Sequence, residues 1–329
     1  MRYGSDLSGL VWAYAFDGAA AGREIGSGDV DAWLAAPRAN AGFIWLHFNL
    51  ANAASEKWLA SHLALPDEFF EALRQGSRTT RIELADDTLT AVINDVRHDF
   101  SFDGADISTL WLNVAPRLIV SARRAPLQSI ERLRQAVRQG VPLHAPVDLL
   151  IHLLRDQGDV LVKIVRDAVT RVDGIEDLLL AGRAVHRREE LGSLRRVLVR
   201  LGRLLAPEPA ALFRLLQRPP AWMGETAGRE LRQSTEEFAV VLSDLAAVQE
   251  RIKLLQEEIA AGVNEQNSQS LFVLTVVTVL ALPINLIAGL LGMNVGGVPL
   301  AQDPHGFWII AGIVATFTAV AGWLLLRKR

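Results

Sequence analysis

Two stretches near the C-terminal end contain no Asp, Glu, Lys or Arg: residues 266–302, 37 long, and residues 306–326, 21 long. No other feature limits the fold as strongly. A helix rises ~1.5 Å per residue and the hydrocarbon core of a bilayer is ~30 Å thick, so about 20 apolar residues cross it. Residues 271–291 and 307–326 meet that length. The expectation is a hairpin of two membrane spans rather than two buried helices of a soluble protein. Neither span is a signal peptide, because both lie far from the N-terminus, where residues 1–6 lack a basic start and an apolar run. The loop 292–306 has no Lys or Arg, whereas Arg327-Lys328-Arg329 follows the second span directly. The cytoplasmic bias of Lys and Arg then puts the C-terminus, and with two spans the N-terminal part, in the cytoplasm. Trp308 and Trp323 sit near the two ends of the second span, where indole rings favour the interface.

The whole-chain composition conceals this division. Across 329 residues, 34 Lys+Arg face 37 Asp+Glu, a net charge of −3. Residues from 266 onward carry Asp303 against Arg327, Lys328 and Arg329, a net of +2, which leaves −5 on the rest. The absence of cysteine excludes disulfides, thiolate metal sites and cysteine nucleophiles. The charge gives no footprint for nucleic acid. No Gly-rich phosphate loop or nucleophile elbow appears, which argues against an enzyme and against ATP as a driving force.

Residues 1–145 read as a mixed α/β domain. Short β-branched or aromatic runs bounded by turns predict strands at 10–16, 43–48, 79–85, 88–96, 107–114 and 117–122. Residues 58–63, 66–74 and 127–139 look helical. From Pro146 the pattern changes to long amphipathic helices at 147–180, 186–216 and 228–291, broken near Ala181-Gly182 and at Pro219-Pro220. Residues 146–270 form the expected helical stalk.

In the last of these helices Phe238, Val241, Leu245, Val248, Ile252, Leu255 and Ile259 alternate spacings of three and four, a heptad seam that packs against other helices. A second column on the opposite face repeats strictly every seven residues: Glu250, Glu257, Asn264, Leu271, Thr278, Asn285, Gly292. Four residues on from these lie Leu254, Ala261, Ser268, Thr275, Leu282 and Gly289. Thr275, Thr278 and Asn285 are the only polar side chains between Leu271 and Leu291, and all three fall in this column. From Glu250 to Gly292 it runs about 63 Å at ~1.5 Å per residue, with slight supercoiling. Polar groups in hydrocarbon face other protein or a water-filled cavity. The stripe is therefore either the lining of a conduit or a set of Thr and Asn hydrogen bonds between helices. Glu250 and Glu257 are either acids of a funnel or solvated surface. A protomer with two spans cannot enclose a pore, so a conduit requires a ring-shaped oligomer.

At the outer end of the first span the chain reads G-M-N-V-G-G-V-P, residues 292–299. Gly and Asn also end ordinary helices; the position between two C-terminal spans, after a stalk helix and an α/β domain, gives the tripeptide its weight. This arrangement resembles the CorA family of divalent-cation transporters, whose signature is G-M-N at this place. The continuation N-V-G-G-V-P, with W-L-H-F-N (45–49) and L-I-V-S-A-R (118–123), is similar to the zinc-transporting ZntB subgroup. The resemblance implies a CorA-like funnel homopentamer, multi-pass in the bacterial inner (cytoplasmic) membrane, with the first span lining the pore and the second around it. It also implies that Asn294 and the backbone of Gly292, flanking Met293, form the outer ring that meets the hydrated ion. Asn285 would form a polar pore ring, and Leu271, Leu274 and Leu282 narrow apolar rings. Leu274 lies one position off the column selected by spacing.

The expected cargo is Zn2+, with Mg2+, Co2+ or Ni2+ as alternatives, and no resident cofactor. The rival from another class is a membrane-tethered coiled-coil sensor or scaffold, which needs neither the stripe nor the loop. Partners are further copies of the chain, divalent ions and lipid. Neutral amide and carbonyl oxygens suit a hydrated divalent ion, because they bind its water shell without stripping it. Asp303 and His305 are a weak site for attracting cations to the loop. The other six histidines, His47, His62, His98, His144, His152 and His186, show no pair at metal-ligand spacing.

Overall fold

Runs rich in β-branched and aromatic residues make most of the seven strands among the described residues, which the computed structural model of the protein joins into one mixed sheet. The structure describes residues 4–17, 21–36, 42–76, 80–85, 87–103, 106–181, 187–293, 299 and 303–327. The strands are β1 (Leu10–Phe16), β2 (Arg23–Ile25), β3 (Phe43–Asn49), β4 (Arg81–Ala85), β5 (Thr88–Val96), β6 (Ile107–Val114) and β7 (Leu118–Arg123). Their spatial order is β2-β1-β3-β7-β6-β5-β4. Neighbours are antiparallel except β3 and β7, which run parallel. The two N-terminal segments W-L-H-F-N and L-I-V-S-A-R thus lie side by side, with Trp45 opposite Ile119 and His47 opposite Ser121.

Helices α1 (Ser27–Ala35), α2 (Ala54–His62) and α3 (Asp67–Gln75) share one core with the sheet. Ile44, Leu46, Phe48, Val92, Trp111 and Val120 from the strands meet Val30, Leu59, Phe69 and Leu73 from the helices. Trp111 Nε1 donates to the Ala72 carbonyl at 3.0 Å, which ties α3 to β6. Side chains of the opposite face, including Leu89, Ala91, Ile93 and Asp95, meet α4 (Gln128–Arg138), α5 (Pro146–Leu180) and α7 (Pro207–Gln217).

Strand β2 and helix α1 were not expected. Three residues, R-E-I, carry no readable alternation, and S-G-D-V-D-A-W-L-A contains a Gly and two Asp, poor helix formers, with Val30 alone buried. Helix α5 starts as its composition directs. Pro146 occupies the first turn, and Asp148 Oδ2 accepts the N–H groups of His144 (2.8 Å) and Ala145 (3.0 Å). The single helix expected over 186–216 is two, α6 (Arg188–Leu205) and α7, divided at Ala206. Pro207 has no N–H to continue the ladder of α6 but suits the first turn of a new helix.

Helix α8 runs Glu225–Leu291, 67 residues, and α9 runs Gly306–Arg327. Both contain segments long and apolar enough to cross a membrane. The chain divides into two compact units, Met1–Gln256 and Glu257–Arg329.

Candidate ion pathway

The seam of α8 is the face the first unit uses. Phe238, Leu245, Val248, Ile252 and Leu255 are buried there and Val241 is half-buried. Polar contacts fix the rotation of the helix. Gln249 Nε2 donates to the Leu198 carbonyl of α6 at 2.9 Å, and Arg251 reaches both Asp173 (2.7 Å) and Glu176 on α5. With that face occupied, Glu250 and Leu254 are exposed.

In the second unit the remaining column residues, Glu257, Ala261, Asn264, Ser268, Leu271, Thr275, Thr278, Leu282, Asn285, Gly289 and Gly292, are all exposed. The half-buried residues of the same stretch are Phe272, Val276, Leu280, Pro283, Ile287 and Leu291 among others. Spacings of three and four place these on the side of the helix away from the column. The apolar members of the column are as open as the polar ones, Leu271 at 63% and Leu282 at 62% of full exposure, and Leu274 beside them at 63%.

The polar members differ in what they leave free. Thr275 Oγ1 donates to the Leu271 carbonyl at 2.7 Å and Thr278 Oγ1 to the Leu274 carbonyl at 2.8 Å. Each hydroxyl proton is thereby used along the helix, and the oxygen lone pairs face outward as acceptors. The Asn285 amide makes no hydrogen bond among the described residues and offers both donor and acceptor. Two residues away Pro283 lacks an N–H, so the Val279 carbonyl has no helical donor.

Gly292 closes the helix, its N–H donating to the Ala288 carbonyl at 2.9 Å. A Cβ there would lie 2.9 Å from that same oxygen, which is why glycine stands at this position. Met293 is 53% exposed. Asn294 lies outside the described residues. Asp303 and His305 do come together, but as a helix start. Asp303 Oδ1 accepts the His305 N–H at 2.8 Å, its carbonyl accepts the N–H of Gly306, and the His305 ring is open to solvent.

No group of three or more His, Asp or Glu side chains in metal-binding arrangement occurs among the described residues. His47 is wholly buried and has both ring nitrogens engaged, Nδ1 with Ser121 Oγ at 2.7 Å and Nε2 accepting from Arg123 Nε at 3.1 Å. Burial holds it neutral, with the Arg123 and Arg134 charges in the same direction. His186 lies outside the described residues. Sequence reasoning did not find this network, nor a buried acidic group at the start of α7, since neither carries a spacing signal.

Residues 40–329 match the family described as "CorA-like Mg2+ transporter protein". The chain belongs to the CorA family. Among curated CorA-type relatives, the divalent cation transporter CmaX of Pseudomonas aeruginosa is 27% identical, with 98% of this chain and 97% of that one covered. The zinc transport protein ZntB of Pectobacterium atrosepticum is 24% identical over 98% of this chain and 96% of that one. The structure of full-length CmaX superposes with a TM-score of 0.82 at 25% identity, covering 99% of both chains. The α/β sheet domain, the long helix and the two C-terminal candidate membrane helices of this CorA chain are thus parts of one shared fold.

Proposed function

We propose that this chain is one protomer of a homopentameric conduit for divalent cations in the bacterial cytoplasmic membrane, with Zn2+ uptake as its task. The observation that carries this reading is the open column of α8. Thr275, Thr278 and Asn285 present oxygen atoms along one exposed helix face, and that face has no partner within the protomer among the described residues. Five such faces around an axis give stacked rings of neutral acceptors separated by rings of Leu271 and Leu282. Hydrated divalent ions pass the former, and the latter close by excluding water. Asn294, at the outer end, is assigned to the ring that receives the ion, and Glu257 and Glu250 to the cytoplasmic funnel. Both termini lie in the cytoplasm, as the basic residues after α9 direct.

Zinc is favoured by the ZntB relatives and the N-V-G-G-V-P continuation. The column itself contains no soft or anionic ligand within the span, so selection acts on the hydrated ion and admits cobalt, nickel and cadmium. An inside-negative potential of 100 mV drives a divalent ion inward by about 4.6 kcal/mol, twice the single-charge value, roughly a two-thousand-fold accumulation. The test is purified protein in liposomes, with Zn2+ and Mg2+ flux followed under an imposed potential, then under an imposed pH gradient. Zinc entry that follows the potential and is lost in Asn294→Ala and Asn285→Ala supports the reading. Mg2+ entry without zinc entry would reassign the cargo, and unchanged flux in both variants would remove the conduit assignment.

A further inference from the structure

Helix α7 begins P-E-P, and the glutamate between the two prolines, Glu208, is 2% exposed. It does not point to solvent as first-turn acids commonly do. Its Oε2 accepts from Gln157 Nε2 of α5 at 3.1 Å. The same amide nitrogen donates to the Asn94 main-chain carbonyl of β5 at 2.8 Å, so both of its hydrogens are spent. Gln157 is itself only 3% exposed, and its Oε1 is buried with no hydrogen-bond partner among the described residues. Among the described residues, Glu208 and Gln157 are the only polar side chains lining a cavity of about 10 Å³, whose other walls are apolar residues of β4, β5, α5 and α7. An ionised carboxylate here has one donor for its two oxygens and apolar groups around the rest.

We propose that Glu208, with Gln157 and Asp95, forms a buried proton-binding site by which pH sets the packing of α7 on the sheet.

The charged groups around the site support this. From β5, Asp95 is wholly buried and contributes its charge to Glu208. It is held by Ser129 of α4 through Oγ (2.8 Å) and N–H (3.1 Å), and by the Val96 N–H at 2.7 Å. From α5, besides neutral Gln157, comes Asp156, flanked by Arg132 of α4 and by Asp159. Strand β4 turns Ile82 to the cavity, so Arg81 and Glu83 alternate to the other face and pair with each other at 2.7 Å. On α7 itself Arg214 is exposed. No cation contacts Glu208 among these groups. Burial, with Asp95 adding repulsion, pushes the Glu208 carboxyl up to about 8, while burial raises Asp95 only to about 6 because its hydrogen bonds oppose the shift.

At neutral pH Glu208 is therefore the protonated member and Asp95 the charged one. Loss of the Glu208 proton leaves two anions in one apolar layer. The relief is to lift the first turn of α7 into water, where the carboxyl returns to its ordinary range. Opening releases one proton, so its equilibrium constant rises about tenfold per pH unit below a pH of about 8 and levels off above it.

The test uses the full chain in detergent, so that it does not depend on transport. Amide exchange over 207–217, corrected for intrinsic rates, should show opening that increases roughly fiftyfold from pH 6 to pH 8, since the levelling begins at the midpoint. In Glu208→Gln the corrected opening should be independent of pH over that window. In parallel, the infrared C=O band of a protonated carboxyl should titrate near pH 8 in the wild type and be missing from the variant. Asp95→Asn supplies a second arm should Glu208→Gln fail to fold, since loss of the neighbouring anion must move the infrared midpoint to lower pH. Equal pH profiles in wild type and Glu208→Gln, or an unmoved midpoint in Asp95→Asn, would overturn the proposal. Flux is not measured, so a failure of the conduit assignment leaves this result standing.

Discussion

Four threonines of the two apolar segments, 271–291 and 307–326, make the same bond, and that equivalence allows a controlled test of the column. Thr275 and Thr278 on α8 donate to Leu271 and Leu274; Thr316 and Thr318 on α9 donate to Gly312 and Val314, each of these two at 2.8 Å. Replacing Thr278 by Val removes the hydroxyl and keeps the shape. The Leu274 carbonyl retains its helical partner, so no buried group is stranded, and the expected cost to folding is within about 0.5 kcal/mol. Thr316→Val removes an identical bond from an exposed position on the other helix and serves as the control. If Thr278 accepts hydrogen bonds from the hydration shell of a passing ion, each lost acceptor costs at least ~0.5 kcal/mol. In the proposed ring of five this adds about 2.5 kcal/mol to passage, a roughly seventy-fold fall in flux. The assay is zinc uptake into liposomes at matched protein content, with thermal unfolding in detergent to confirm equal stability. A Thr278→Val flux equal to that of Thr316→Val would refute the assignment of this face, whatever the absolute rates.

Two further substitutions probe how the column comes to face outward, and a third probes the sheet domain. Ile252 is 0% exposed in the seam, so Ile252→Ala should lower unfolding stability by about 2–5 kcal/mol in denaturant titration; a cost below 1 kcal/mol would mean that the seam is not packed. Arg251 and its two carboxylate partners are each about half open to solvent, and Arg251→Ala should cost no more than about 1 kcal/mol, a difference that shrinks in high salt. Gly9 has φ +88°, and a Cβ there would fall 1.9 Å from Ser55 Oγ, which itself donates to the Asn49 carbonyl at 2.6 Å. Gly9→Ala should therefore destabilise by at least ~1–3 kcal/mol. Read from paired melting curves, Ser55→Ala on top should recover only the part due to collision with Oγ, since the Ser55 Cβ, 2.9 Å from the added Cβ, remains.

What could be read in advance depended on whether a residue's role repeats along the chain. Strands 10–16, 88–96 and 107–114 were delimited to the residue because hydrophobic alternation and flanking turns agree there. The seam of α8 was legible because seven positions share one environment, and five of its members in the first unit are buried. Helix α1 was not, since its nine residues bury one side chain and carry no period. The division at Ala206 was missed because the apolar pattern continues through Pro207 from α6 into α7, and only the proline's missing N–H marks the change. Glu208 was invisible for a different reason. Nothing in P-E-P tells whether the carboxyl turns to water or to the sheet; that depends on Gln157, 51 residues earlier, and Asn94, 63 residues before Gln157.

The distribution of titratable groups separates two tasks that a transporter must perform. Residues 271–291 and 307–326 contain no Asp, Glu, His, Lys or Arg, so no side chain within either span can take up or release a proton near neutral pH. On the column assignment proposed above, a divalent ion would meet hydroxyl, amide and apolar groups whose charge does not change with pH. Any effect of pH on its movement must then enter from outside the spans. One candidate is the loop, where Asp303 is engaged in capping α9 and His305 is open to solvent. The other is the first unit, where Glu208, Asp95 and Asp156 all have carboxyls raised toward neutrality by burial. A group near the ion's path would alter conduction through its own field, which falls off within about 8 Å at physiological salt. A buried group beneath α7 acts instead through packing, and α6, which leads directly into α7, is tied to α8 by the hydrogen bond from Gln249 Nε2 to the Leu198 carbonyl. On the two proposals together, proton sensing falls to the buried carboxyls of the first unit and the reading of the ion's hydration shell to the column.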